Sequence, residues 1–166
     1  MPHISGPAAV RATGLASAVK IAPYALRDQV NALLGRAPVY VPLVAGPGDL
    51  GIMTTADARP GLERLVADSG LTGDSYRQDV AARIGLKIGL YSPGRVVSKI
   101  TCPTLVQIAR HDEITPCAVA ERAARRIANS TVHIYDCSHF EPYVEPAFSR
   151  IISDQLSFLR ENVPPN

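Results

Sequence analysis

CPTLVQIARHDEITP, Cys102 to Pro116, is the stretch on which the fold is decided. Its apolar run from Thr104 to Ala109 stops abruptly at Arg110, His111 and Asp112, and Thr115-Pro116 then opens a helical pattern. This predicts a strand, a polar tip and a helix start. The same grammar returns in TVHIYD, Thr131 to Asp136, whose polar tip Cys137, Ser138, His139 precedes another helical pattern. Strand, helix, strand, helix is the alternation of a parallel sheet, in which neighbouring strands end side by side at the carboxyl edge. The pattern therefore predicts that Asp112 and His139 meet above that edge.

The helices around these strands follow from their caps. Thr115 reads as an N-cap with Pro116 at the first helical position, and the helix is expected to reach about Ala128, with Arg125 and Arg126 against its negative end. A last helix, about Pro146 to Glu161, aligns Phe148, Ile151, Ile152, Leu156 and Leu159 in one stripe suited to dock on a sheet.

Upstream the chain reads as mainly helical. One pattern starts at Gly6-Pro7 and runs to Ile21; Pro23 restarts a second helix, Tyr24 to Leu34, that stops at Gly35. Val39 to Ala45 has strand composition, but Pro42 cannot donate to a ladder, so this is an edge strand or an extended segment. Helices are expected from Pro60 to Asp68 and from Ser75 to Leu90, the latter with Val80, Ala81, Ile84 and Ile88 on one face, and Tyr91 to Gly94 is a turn. Residues 1–98 thus form a helical segment and residues 99–166 an α/β unit.

Gly46 to Gly51, GPGDLG, matches the dinucleotide fingerprint by letter, with Asp68 near the ribose-binding distance. That fingerprint needs converging N–H groups and an immediate helix. Pro47 removes one donor and IMTTADARPG is a poor first helix, so a turn is the stronger reading.

Composition bounds the function. At 166 residues, 46% apolar and 19% charged, the chain suits one globular domain. A net charge of +2, scattered Lys and Arg, and no Trp argue against nucleic acid. No apolar run approaches the ~20 residues of a membrane span and the N-terminus lacks a signal-peptide pattern, so no membrane partner and a cytoplasmic location are expected. Cys102, Cys117 and Cys137 lack zinc-site spacing and read as reduced thiols, with Cys137 alone worth testing as reactive. No metal and no cofactor is expected.

A histidine acts as general base when one ring nitrogen faces a nucleophile and the other donates to a carboxylate. Asp112 and His139 have the residue types and a crossover's separation. The plain alternative, Asp112 capping its helix or pairing with Arg110 and His139 a loop residue, stands beside it on spacing alone.

Ile100-Thr-Cys-Pro-Thr-Leu-Val, Asp112 with Ile114-Thr115-Pro116, and His139-Phe140 resemble the carboxyl-terminal part of the α/β-hydrolase superfamily. Ala109 and Ser138 stand where that family usually has Gly. The resemblance implies a partial α/β-hydrolase fold, Asp112 as triad acid, His139 as triad base, residues 6–98 as a helical cap over a pocket, and a small-molecule acyl substrate. The family's nucleophile elbow, G-x-S-x-G, precedes the cap, and this sequence has none; Ser5, Ser138 and Cys137 are the nearest candidates by position. The expectation is the acid–base portion of a serine hydrolase, inactive until an amino-terminal half or another chain covers the sheet edge and supplies the nucleophile. The other reading is a non-catalytic α/β binding or oligomerisation module.

Overall fold

Two separate strand pairs organise the computed structural model, which describes residues 15–72, 75–88 and 90–163. The first pair belongs to the amino-terminal segment. Helix α1 (Leu15–Leu33) leads to β1 (Tyr40–Pro42), and after α2 (Ala58–Asp68) comes β2 (Asp79–Ala81), antiparallel to β1 with Val41 opposite Val80. The short helix α3 (Ile84–Ile88) then packs on α1. Ile21 and Ala25 from α1, Val41, Ile52 and Ala82 form the core of this layer.

The second pair is the predicted one. β3 (Thr104–Ala109) and β4 (Ser130–Tyr135) run parallel, joined by α4 (Cys117–Ala124) and followed by α5 (Ala147–Asn162). The register sets Gln107 opposite His133 and Ala109 opposite Tyr135. Because side chains alternate along a strand, Gln107, Ala109, His133 and Tyr135 share one face. On it, Tyr135, Cys137 and Ile151 form a second small core with Ala109 and Ala147.

Several elements depart from the sequence expectations. The helix start at Gly6-Pro7 lies outside the described residues, and α1 runs through Pro23 unbroken. Proline deprives the carbonyl four residues earlier of its donor; that carbonyl belongs to Val19, and both residues lie on the exposed side, where water replaces the lost partner. The expected helix over 75–90 is β2 plus the short α3, because pairing with β1 and burial of Ala82 override a weak local pattern. Gly46 to Gly51 is a turn between segments bridged at Val44 and Met53, and the next helix starts only at Ala58. In α5, Ile151 is buried but Phe148, Leu156 and Leu159 are exposed, so the stripe docks only in part.

One charge is fully inside. Asp28 on α1 accepts hydrogen bonds from the Val39 N–H at 2.9 Å, the Arg83 N–H at 2.8 Å and Arg83 Nε at 2.9 Å. Burial pushes its carboxyl up, but these donors and the guanidinium charge more than offset that and hold it below the usual range. The pair thus locks α1 to the turn entering α3.

Candidate active site

The two strand tips meet as expected. His139 Nδ1 lies 2.8 Å from Asp112 Oδ2, and among the described residues nothing hydrogen-bonds its Nε2. Asp112 is held in turn. Its Oδ1 accepts the N–H groups of Ile114 at 2.8 Å and Thr115 at 2.6 Å, and its Oδ2 also accepts the Thr115 hydroxyl. The loop after β3 therefore wraps its own carboxylate, fixing the oxygen that faces the imidazole. Thr115 was expected to cap α4; its hydroxyl serves Asp112 instead, and Pro116 takes the cap position without a side-chain bond. Arg110 pairs with Asp136 at 3.7 Å rather than with Asp112. Arg126 bonds the Gly94 and Arg95 carbonyls instead of closing α4.

The electrostatics follow from this geometry. The Asp112 hydrogen bond raises His139 above its ordinary value against the effect of burial, and the charges of Asp112 and Asp57 add to it. Burial alone would raise Asp112; the hydrogen bonds from His139 and Thr115 outweigh it and keep the carboxyl low. The resting pair is a carboxylate that orients an imidazole of enhanced basicity, leaving Nε2 as the atom able to take a proton.

The amino-terminal segment reaches the same place. A Cβ on Gly61 of α2 would stand 2.4 Å from Phe140 Cδ2, so the helix rests directly on the residue after His139. Phe140 in turn meets the His139 ring edge-to-face at 4.9 Å. One turn earlier, Asp57 Oδ1 accepts the Thr55 hydroxyl at 2.6 Å, while its Oδ2 is buried with no partner among the described residues. Arg64 donates to the Glu145 carbonyl at 2.7 Å and fastens α2 beyond the site. Nothing in the local sequence signals Asp57 or Gly61, because their roles depend on a contact between segments about half the chain apart.

A cleft of about 480 Å³ opens beside the pair, lined by Asp112, Thr115 and His139 at its mouth and by Gln107, Tyr135, Phe148 and Ile151 along β3, β4 and α5. Polar side chains are set into its largely apolar wall. Gln107 donates to Tyr135 Oη at 2.7 Å and to the Ile151 carbonyl at 3.1 Å, and Tyr135 donates to Asp154 Oδ2 at 2.7 Å. Burial and that carboxylate push the Tyr135 hydroxyl up to about 12. His133 Nδ1 also meets Asp154 Oδ2, at 3.2 Å, a second histidine–carboxylate contact that lies mid-strand and docks α5 on the sheet.

None of the sequence candidates forms a nucleophile elbow. Cys137 is buried, and burial followed by the charges of Glu141, Asp136 and Asp112 raises its thiol, which disfavours the nucleophilic thiolate. Ser138 sits in the loop before a single 3₁₀ turn, Glu141–Tyr143, with its N–H on the Glu141 carboxylate, not between a strand and a helix. Ser5 lies outside the described residues. Among the described residues, no group of three or more His, Cys, Asp or Glu is placed to hold a metal ion.

No known family profile matches the chain. It is 34% identical over 163 residues to the quorum-quenching protein AidA of Acinetobacter baumannii (strain MDR-ZJ06), an alignment taking in 98% of this chain and 52% of that protein. It also superposes on the structure of DcsB in complex with its substrate analogue, with a TM-score of 0.64 and 18% identity over 92% of this chain and 52% of that one. The chain thus spans about half the length of each. With DcsB it shares a fold.

Proposed function

We propose that this chain is the acid–base portion of a serine hydrolase of the α/β-hydrolase type, with Asp112 orienting His139 and His139 moving the proton in cleavage of an ester, amide or similar acyl bond. The observation that carries the reading is the 2.8 Å contact between Asp112 and His139 Nδ1, with Nε2 left unbonded beside a cleft. In such a site a serine hydroxyl gives its proton to Nε2 as it attacks the acyl carbon, and the imidazolium then returns it to the leaving group. Asp112 stabilises the charged ring without itself taking the proton.

The nucleophile, in this reading, is supplied from outside the given sequence, which spans about half the length of each relative. α2, resting on Phe140, makes the amino-terminal segment a cap over the site. The quorum-quenching name of the relative supports a diffusible acyl signal as the substrate class. The edge of β3 left unpaired among the described residues supports a second reading, in which the chain is a binding module that takes up a strand from a partner.

Joining the chain to the part of AidA that lies outside the aligned region tests both. Hydrolysis of activated acyl esters by the joined protein, lost by about 10³-fold or more in Asp112→Asn and His139→Ala, supports the hydrolase. Hydrolysis that persists in both variants, or complex formation without any turnover, refutes it. The chain by itself is expected to leave such esters intact and to take no fluorophosphonate label.

A further inference from the structure

The outer face of α1 is apolar and, among the described residues, unpartnered. Val19, Leu26, Val30 and Leu33 are 66%, 58%, 52% and 78% exposed and fall on one stripe at helical spacing. The opposite stripe, Ser17, Ile21, Ala25 and Asp28, is the one packed into the core. Two apolar faces on one helix are unusual for a surface helix, which normally sets a polar face to water. Leu34, just past the helix, is exposed as well, while α3 packs on the opposite, inner stripe, where a Cβ on Gly85 would stand 2.8 Å from Ile21 Cγ2.

The exposed charges on α1 and just after it have one sign. From residue 1 to residue 48 the sequence holds a single acidic residue, Asp28, and from Val80 to His111 it holds none. Asp28 is fully buried against Arg83 and contributes nothing to the outside. The exposed charged residues on α1 and just after it are Lys20, whose Nζ donates to the Gly48 carbonyl, Arg27 and Arg36, all basic. A net charge of +2 over the whole chain conceals this segregation.

The stripe also lies on the far side of α1 from the site. The packed side of the helix faces Thr54 through a Ser17 Oγ–Thr54 Oγ1 hydrogen bond of 3.0 Å, and Thr54 leads through Asp57 to α2 and His139. The outer stripe faces away from these contacts.

We propose that the outer face of α1 docks on an anionic lipid surface. Apolar side chains enter the headgroup–acyl boundary while Arg27, beside the stripe, and Arg36, just past the helix, meet lipid phosphates. The expectation of no membrane partner rested on the lack of a spanning run, and no helix among the described residues is long and apolar enough to cross a membrane. Lying on a surface requires only one apolar face and a basic rim. The inference is independent of the acid–base reading of Asp112 and His139.

Flotation of the chain with vesicles of phosphatidylglycerol and phosphatidylcholine, against phosphatidylcholine alone, tests it. The chain is expected to float with the anionic vesicles only and to leave them at high salt. Arg27→Gln, which keeps the stripe, should weaken binding about fivefold, the effect of one basic residue near an anionic surface. Leu26→Asp combined with Leu33→Asp should abolish it while circular dichroism stays unchanged, since both side chains are exposed. A helical chain that stays in solution with anionic vesicles overturns the proposal, as does binding that survives Leu26→Asp with Leu33→Asp. A dimer in light scattering that these two substitutions dissociate would assign the face to a second copy and overturn it equally.

Discussion

Replacing Gly61 with alanine should loosen the joint between the amino-terminal segment and the His139 loop. A Cβ there stands 2.4 Å from Phe140 Cδ2, 2.7 Å from Cγ and 3.0 Å from Cβ. Because the clash reaches the Cβ of Phe140, a ring flip cannot relieve it, and α2 or the loop must move. Overpacking of this kind costs about 2–3 kcal/mol, the upper part of its usual span. Alanine in a helix recovers up to about 1 kcal/mol over glycine. The expected net loss is therefore about 1–2 kcal/mol, which at a urea slope of about 2 kcal/mol/M lowers the midpoint by about 0.5–1 M. Phe140 presses edge-on against His139 at 4.9 Å, so the His139 ring resonances should shift in the same variant while those of His111, on the exposed rim, stay in place. A midpoint that holds or rises would show that α2 does not rest on Phe140, and the cap reading would lose its structural basis.

Asp112→Asn should lower the His139 titration midpoint seen by NMR and cost about 2 kcal/mol, the size of a charge-assisted hydrogen bond; an unchanged midpoint refutes the pairing. The sign with pH follows from the two shifts. His139 is raised above its ordinary 6.5, so its share of the stability is complete below that value and fades as pH climbs through the raised one. Asp112 is depressed, so its share is complete above its ordinary 3.8 and fades as pH falls through the lowered one. The gap between wild type and variant in urea midpoints should be widest between those limits. With a disulfide reagent such as DTNB, exposed Cys102 should react in the native protein while Cys137 waits for unfolding; equal rates would show that Cys137 is accessible and its thiol reactive.

The strands at Thr104 to Ala109 and Thr131 to Asp136 were legible because a half-buried strand and its polar tip are written in consecutive residues. Their parallel adjacency followed from the helix between them, and with it the meeting of Asp112 and His139. Elsewhere short-range pattern misled. The 75–90 stretch has helical spacing in isolation, yet pairing of Val80 with Val41 and insertion of Ala82 into the core make its start a strand. Pro23 reads as a break, but its missing donor falls on the solvent side of α1 and costs little there. Thr115 has the chemistry of a cap, and a carboxylate three residues earlier claims its hydroxyl first.

By itself, then, the sequence determined the β3–α4–β4–α5 order and the residue types at the two strand tips, since both depend on neighbours a few positions apart. Only the tertiary structure decided that Thr115 serves Asp112, that Gly61 admits the Phe140 ring beside His139, that Asp28 is the buried partner of Arg83, and that the outer stripe of α1 is left bare. Each of these rests on atoms brought within a few ångströms by the packing of distant segments, and no local periodicity encodes which distant segment will arrive.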